Sequence, residues 1–406
     1  MPKSLWFLLI AVAVQITGAS FLWPLNSLII HQELGKSLTV AGLILFIHSG
    51  AGVLGNMTGG KLFDKIGAYK TILLGLSIAV VSTFVLAFAH STVLGYTLCL
   101  IGIGYGAGAT FPAMYALAGS IWPDGGRKPF NAMYVAQNLG IAVGTACIGI
   151  IASVELTTVF YANAMVYVFV LLFVAITFRK IQPKQETGAT VSIEAAAVKK
   201  LSKQVYYSLG LVLVSFFICW LAYTQWQANV SVHSQNLGLT LQQYSLFWTV
   251  NGLMIVLAQP ILSIFIKKWV TSLRRQMVVG IVLFFISYVV LSQVEFFVGF
   301  MVAMIILTVG EMFFWPVVPT IAHNLAPKGK EGSFQGIVNS VSTSGKMVGP
   351  LFGGLLVDLY SFQIMIYVLL GFILVAIFTA SIYQRPLQTQ NKREIGQNEE
   401  NSTYDA

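Results

Sequence analysis

The sequence predicts an all-α membrane protein: twelve transmembrane helices in two related six-helix halves, with both termini in the cytoplasm. Three observations carry that prediction. Of 406 residues, 57% are hydrophobic and only 9% charged, against roughly 25% charged in soluble domains. The apolar runs are each about 20 to 25 residues long, the helix length that crosses a hydrocarbon core of ~30 Å. The second half of the chain also repeats landmarks of the first in the same order. Lipid leaves only helices or closed barrels, and runs such as VYVFVLLFVAITF lack the period-two alternation of a barrel strand.

The spans fall near 4–30, 39–62, 70–90, 93–117, 129–152 and 157–178, then 206–231, 242–266, 276–294, 297–322, 333–358 and 361–383. The first is too long for the apolar core of a signal peptide and precedes no small-residue cleavage site. The halves are therefore 1–178 and 206–384, joined by a polar cytoplasmic linker at 179–205 and followed by a disordered cytoplasmic tail at 385–406. Cys99, Cys147 and Cys219 all lie within spans and read as small apolar residues.

Orientation follows from the basic residues. Of 23 Lys and Arg residues, Lys36 alone lies in a loop between an odd and an even span, and Lys346 alone lies deep in a span. All the others sit in the remaining loops and tails, Arg127 and Lys128 among them, so that side is cytoplasmic. The net charge of +9 is this topological bias and calls for no nucleic-acid partner.

The internal repeat pairs Trp23 with Trp226, Asn26 with Asn229 and Gly35 with Gly238. It continues with Gly106 and Gly310, Pro112 and Pro316, and Pro123 and Pro327. Gly140, Gly144 and Gly149 answer to Gly345, Gly349 and Gly354. Parallel six-span repeats of this kind characterise one class of transporter.

After span 2, GGKLFDKIGAYK (59–70) resembles the loop signature of the major facilitator superfamily. Gly60, Asp64, Lys65 and Gly67 fall on its places, whereas Ala68 and Tyr69 depart from it. Gly60 permits close helix approach and Gly67 a tight turn. Asp64 suits a helix start or a basic partner. The resemblance implies a latch that holds the halves together on the cytoplasmic side. SIFIKKWVTSLRRQ, at the corresponding place in the second half, has no acid. Span 11 carries Gly345, Gly349, Pro350, Gly353 and Gly354 in the order G-x-x-x-G-P-x-x-G-G. That pattern is similar to one which antiporters of the superfamily carry in span 5, where this chain has the degenerate GIAVGTACIG. The arginine of the family's span 4 is absent.

Glu311 and Lys346 lie about 14 and about 13 residues into their spans, near the midplane at about 1.5 Å per residue. Charges at that depth face the interior and usually serve function. Their repeat counterparts are Ala107 and Ile141, so shared helix packing does not require them. GEMFFWPVVP (310–319), followed by a lysine before MVGP, resembles the multidrug proton-antiporter branch. The resemblance implies that Glu311 couples protons and recognises cations. Desolvation favours a neutral carboxyl and a nearby lysine the charged one, so two expectations stand. Protonation releases a Glu311–Lys346 link for substrate to exploit, or the two form a static ion pair.

Other polar and aromatic residues suggest a cavity. His48 and Asn251 occupy matching places, and His48 is a further candidate for proton transfer. Trp23, Asn26, Gln137, Asn138, Gln225, Trp226, Asn229, Trp248, Phe314 and Trp315 are the other candidate lining residues. For each, helix-to-helix bonding is the competing expectation.

The function expected is secondary active transport by alternating access, with proton-coupled efflux of amphipathic drugs or metabolites. The alternatives are an uptake symporter or facilitator for a small organic solute, and a non-transporting receptor or scaffold. No clustered nucleophile motif and no phosphate-binding G-x-x-x-x-G-K-[ST] loop is present. The chain is thus expected to be no enzyme, to need no cofactor or metal, and to act as a monomer in the plasma membrane on a small-molecule substrate and protons.

Overall fold

In the computed structural model, residues 1–22, 25–26, 29–152, 156–181, 203–386 and 388 are described. They form helices joined by short turns and contain no strand. In chain order the α-helices are α1 (Lys3–Leu22), α2 (Leu38–Ile66), α3 (Ala68–Ala89), α4 (Val93–Ile121), α5 (Lys128–Ala152), α6 (Leu156–Thr177) and α7 (Lys203–Gln227). They continue as α8 (Asn229–Asn236), α9 (Leu241–Trp269), α10 (Leu273–Leu291), α11 (Phe297–Phe314), α12 (Val317–Leu325), α13 (Glu331–Leu359) and α14 (Phe362–Ile382). Most of the expected linker and tail, and Trp23, lie outside the described residues.

Among the described residues, ten stretches are long and apolar enough to cross a membrane, with α7–α8 and α11–α12 counted as one each. The other two long helices, α5 and α13, stand where spans 5 and 11 are expected. They carry amides, hydroxyls and glycines along their length because they pack inside the bundle. α5 meets α1, α4 and α9, while α13 meets α2, α4 and α7. The outer faces of the apolar helices expose residues such as Phe84, Phe88, Met165, Ile176, Ile261, Ile264 and Phe378, the surface that lipid tails cover.

Three expected spans are not single helices. α1 ends at Leu22, short of the expected end of span 1 at 30, Leu25 is in a turn, and a π-helical turn follows at Ile29–Glu33. Span 7 breaks at Ala228. Span 10 breaks between Phe314 and Val317, beside the midplane acid. Proline explains the last break: Pro316 has no N–H to offer the Met312 carbonyl four residues back, and its ring collides with that carbonyl. Pro112, Pro260 and Pro350 lie within helices that continue past them.

The repeat reappears as equivalent helix crossings. A methyl group on Gly140 of α5 would stand 2.9 Å from Ile16 Cβ of α1. One on Gly345 of α13 would stand 2.6 Å from Trp220 Cβ of α7. Glycine is needed at both places because the helix backbones nearly touch. Gly67 adopts φ 82° in the single-residue turn between α2 and α3, the left-handed region that glycine enters freely. Buried apolar residues form one cluster drawn from 209 to 383 with Tyr134, and two smaller clusters drawn from residues 5 to 178.

Candidate functional site

Glu311 ends up buried, 2% exposed, on the last turn of α11. Its carboxyl has no cationic partner among the described residues; neutral donors surround it. Asn251 Nδ2 of α9 donates to Oε1 and also reaches Thr308 Oγ1 at 2.9 Å. Trp315 Nε1 donates to Oε2 at 3.1 Å, and Tyr134 of α5 donates its hydroxyl to the same oxygen at 3.3 Å. The Tyr223 hydroxyl of α7 also acts on this carboxyl. Glu311 therefore ties α5, from the first half of the sequence, to α7, α9 and α11 from the second.

Lys346 is placed apart. Its ammonium lies over the Trp220 ring, 4.0 Å from the centroid. Trp220 stacks on Trp315 with centroids 4.3 Å apart and planes at 21°. The expected direct Glu311–Lys346 link is absent. Two stacked indoles stand between the charges, and the second of them hydrogen-bonds the acid. The physical reason is that a lysine ammonium gains substantially from an indole face in a partly desolvated setting. Phe216, Tyr223 and Phe284 pack edge-on around Trp315. Phe216, Trp220 and Tyr223 were missed in the sequence, although they recur at the i, i+4, i+7 spacing of one helix face.

The remaining candidates separate into groups. Asn251, Trp315 and Phe314 sit at or beside the acid, with Phe314 fully buried as core. Trp248 meets Tyr223 edge-on and donates to Tyr244 at 2.9 Å. Gln225 instead bonds the Leu221 and Gly349 carbonyls and accepts from Asn229, which stitches α7 to α13. Trp226 is fully buried. Gln137 donates to Tyr115 and Asn138 to the Tyr134 carbonyl. Asn26 accepts from Tyr96. His48 Nδ1 bonds the Leu100 carbonyl at 2.7 Å, joining α2 to α4. These last contacts lie within the first half, that of Asn138 inside α5 itself, and none reaches Glu311.

At the end of the bundle where α2 finishes, Asp64 accepts the backbone N–H groups of Gly332 at 2.8 Å and Ser333 at 3.0 Å, and also the Ser333 hydroxyl. A carboxylate at a helix start suits the free N–H groups and dipole there. Gly60 lies against Gly332 and Gly336, where any side chain would strike backbone. Lys65 is exposed beside them. Nearby, Asn131 and Gln259 link α5 to α9, with Ser263 as a further partner.

Arg127 was read from the sequence only as a marker of topology. In the structure it is half-buried at this same end. Its guanidinium donates to Gln276 Oε1 at 2.8 Å and to the Met312 carbonyl. That carbonyl is the one Pro316 deprives of its helical partner. The signal lay in the i to i+4 relation of Met312 and Pro316, which identifies a carbonyl in need of a donor but not the donor's identity. Among the described residues, no three His, Cys, Asp or Glu side chains gather as a metal site would require.

Comparison with known proteins agrees with this architecture. A family model described as Major Facilitator Superfamily matches residues 8–269 and 211–403. The chain is 48% identical over 389 residues to the uncharacterized MFS-type transporter YttB of Bacillus subtilis (strain 168), covering 96% of this chain and 97% of that one. It is 26% identical over 408 residues to the quinolone resistance protein NorA of Staphylococcus aureus (strain MSSA476), covering 96% and 100%. A bacterial homologue of the iron transporter ferroportin, solved in an outward-facing state, shares the fold with a TM-score of 0.76 at 15% identity, covering 95% and 100%. A bundle of apolar helices with a buried acid, matched along nearly its whole length, leaves one assignment: the chain is an integral membrane transporter of the Major Facilitator Superfamily and not an enzyme.

Proposed function

We propose that the chain is a twelve-span secondary transporter that couples proton entry to the efflux of amphipathic drugs or metabolites across the plasma membrane, working as a monomer. α5 and α13 complete the twelve spans. The halves are 1–178 and 206–384, with the linker, the tail and both termini in the cytoplasm. The observation that carries the reading is Glu311: a buried carboxyl without a cation, held by donors from both halves.

A proton on this acid removes its charge and one of its acceptor positions. Tyr134 then loses its charged acceptor, and the tie between α5 and α11 weakens. In the described arrangement the Asp64 end is joined by Asp64 and Arg127. Positive-inside bias makes that end cytoplasmic, so the arrangement is the one closed toward the cytoplasm. Proton arrival from outside and reopening inward then complete a cycle of alternating access. The similarity to NorA supports drug efflux as the direction.

The test uses proteoliposomes with an imposed pH gradient and an amphipathic fluorescent drug. Uphill drug movement opposite to the proton gradient, lost in Glu311→Gln, is the expected result. Equal equilibration with and without the gradient would identify a facilitator instead, and movement down the proton gradient a symporter.

A further inference from the structure

Lys346 is the charge in this site that the protein leaves unanswered. Its side chain is exposed, on a helix that packs against α2, α4 and α7, with its ammonium over Trp220 of α7. Apart from the Trp220 ring, no hydrogen bond or ion pair reaches it among the described residues. The indole N–H of Trp220 is buried and also lacks an acceptor. Glu311 is the opposite case, 2% exposed behind three hydrogen-bond donors. Arg127 is half-buried, with its two terminal nitrogens bonded to Gln276 and the Met312 carbonyl. The charge this site presents to a ligand is therefore positive.

Beside that charge stand aromatic faces. Trp220, Tyr223 and Trp248 are each half-buried and packed edge to face, Trp220 on Tyr223 at 5.6 Å and Tyr223 on Trp248 at 5.9 Å. Such a wall favours flat rings. It would also attract a cation, but its cation is already built in. A second cation would meet Lys346 by repulsion and could reach Glu311 only by displacing its donors.

We infer that the transported ligand is an aromatic anion, whose carboxylate pairs with Lys346 while its ring lies against Tyr223 and Trp248. The assignment narrows the substrate class of the transport site proposed above and rests on that site being the one that transports. An acceptor on Lys346 supplies the partner that a deep ammonium lacks. Specificity follows from the same geometry, because a site with an unmatched donor discriminates strongly against a ligand that lacks the acceptor.

The probes are 2-naphthoate, 2-naphthamide and 2-naphthylmethylammonium, titrated into the full chain in nanodiscs with tryptophan fluorescence as readout. The expected result is at least tenfold tighter binding of the naphthoate than of either analogue. Lys346→Gln should erase that preference, and Lys346→Arg should keep it. Tighter binding of the ammonium probe, or a carboxylate preference that survives Lys346→Gln, overturns the assignment. A far-ultraviolet circular-dichroism spectrum of Lys346→Gln that matches the natural chain shows that the variant is folded. Binding is read at equilibrium without a gradient, so failure of proton coupling in proteoliposomes leaves this result standing, and the converse holds too.

Discussion

Lys346 rests its ammonium on the face of Trp220, 4.0 Å from the ring centroid, and leaves Glu311 to neutral donors. The two charges are thus linked by Trp220 and Trp315, stacked at 4.3 Å, rather than by contact. A change of charge on Glu311 acts first on Trp315, Tyr134 and Asn251, and reaches Lys346 only through the shift of an indole stack.

That arrangement predicts where coupling energy resides. In double-mutant cycles read by thermal stability in detergent, Lys346→Gln with Trp220→Leu should show a coupling of about 0.5–2 kcal/mol, the range for a cation on an indole. Lys346→Gln with Glu311→Gln should be nearly additive. A larger coupling between the two charged residues than between Lys346 and Trp220 would contradict the relay.

Arg127 and Pro316 form a second testable unit. Arg127→Ala strands the Met312 carbonyl in the interior, and an unsatisfied buried polar group costs about 1–3 kcal/mol. Pro316→Ala returns an N–H to α11 four residues after Met312. Arg127→Ala should therefore lower the unfolding temperature much less in a Pro316→Ala background than in the natural chain. Equal losses in both backgrounds would mean that Arg127 matters for something other than that carbonyl.

Asp64 should control which end of the bundle is open. Asp64→Asn keeps an acceptor for one N–H of α13 but loses the charge at the helix start, worth about 0.3–2 kcal/mol. Spin labels at Lys61 and Lys330, both exposed, report the separation of α2 from the start of α13. The variant should enrich the longer-distance population several-fold, and an unchanged distribution would remove Asp64 from the latch.

Packing glycines differ along one helix. A methyl group at Gly349 would be driven into Thr224 and the Leu221 carbonyl, whereas nothing lies within 4 Å of one at Gly354. Gly349→Ala should lower the melting temperature. Gly354→Ala should leave it unchanged or raise it, since alanine is the better helix former by about 0.5–1 kcal/mol. Equal destabilisation would show that the α7–α13 crossing is looser than described.

The bundle was legible because lipid forces length and composition on every apolar helix, and because repeat partners such as Gly140 and Gly345 mark equivalent crossings. Glu311 was legible for a related reason, as an acid inside an apolar run. Its partners were not. Matching charges by sign pointed to Lys346, but α13 packs against α7, which carries Trp220, and periodicity alone does not tell which indole a lysine will choose. Arg127 was hidden by its position, since a cytoplasmic-side arginine already has an explanation in topology. The break at Pro316 was visible as a proline, yet Pro112 at the matching place leaves α4 continuous, so only the structure distinguishes the two.

The central claim is that Glu311 carries the proton coupled to transport. Its most direct test adds the amphipathic drug outside proteoliposomes held at equal pH on both sides, with a pH-indicating dye in the lumen. The account predicts that drug entering down its gradient drives protons out through the natural chain, and that Glu311→Gln moves none. Undiminished proton movement by Glu311→Gln would place the coupled proton elsewhere and contradict the account.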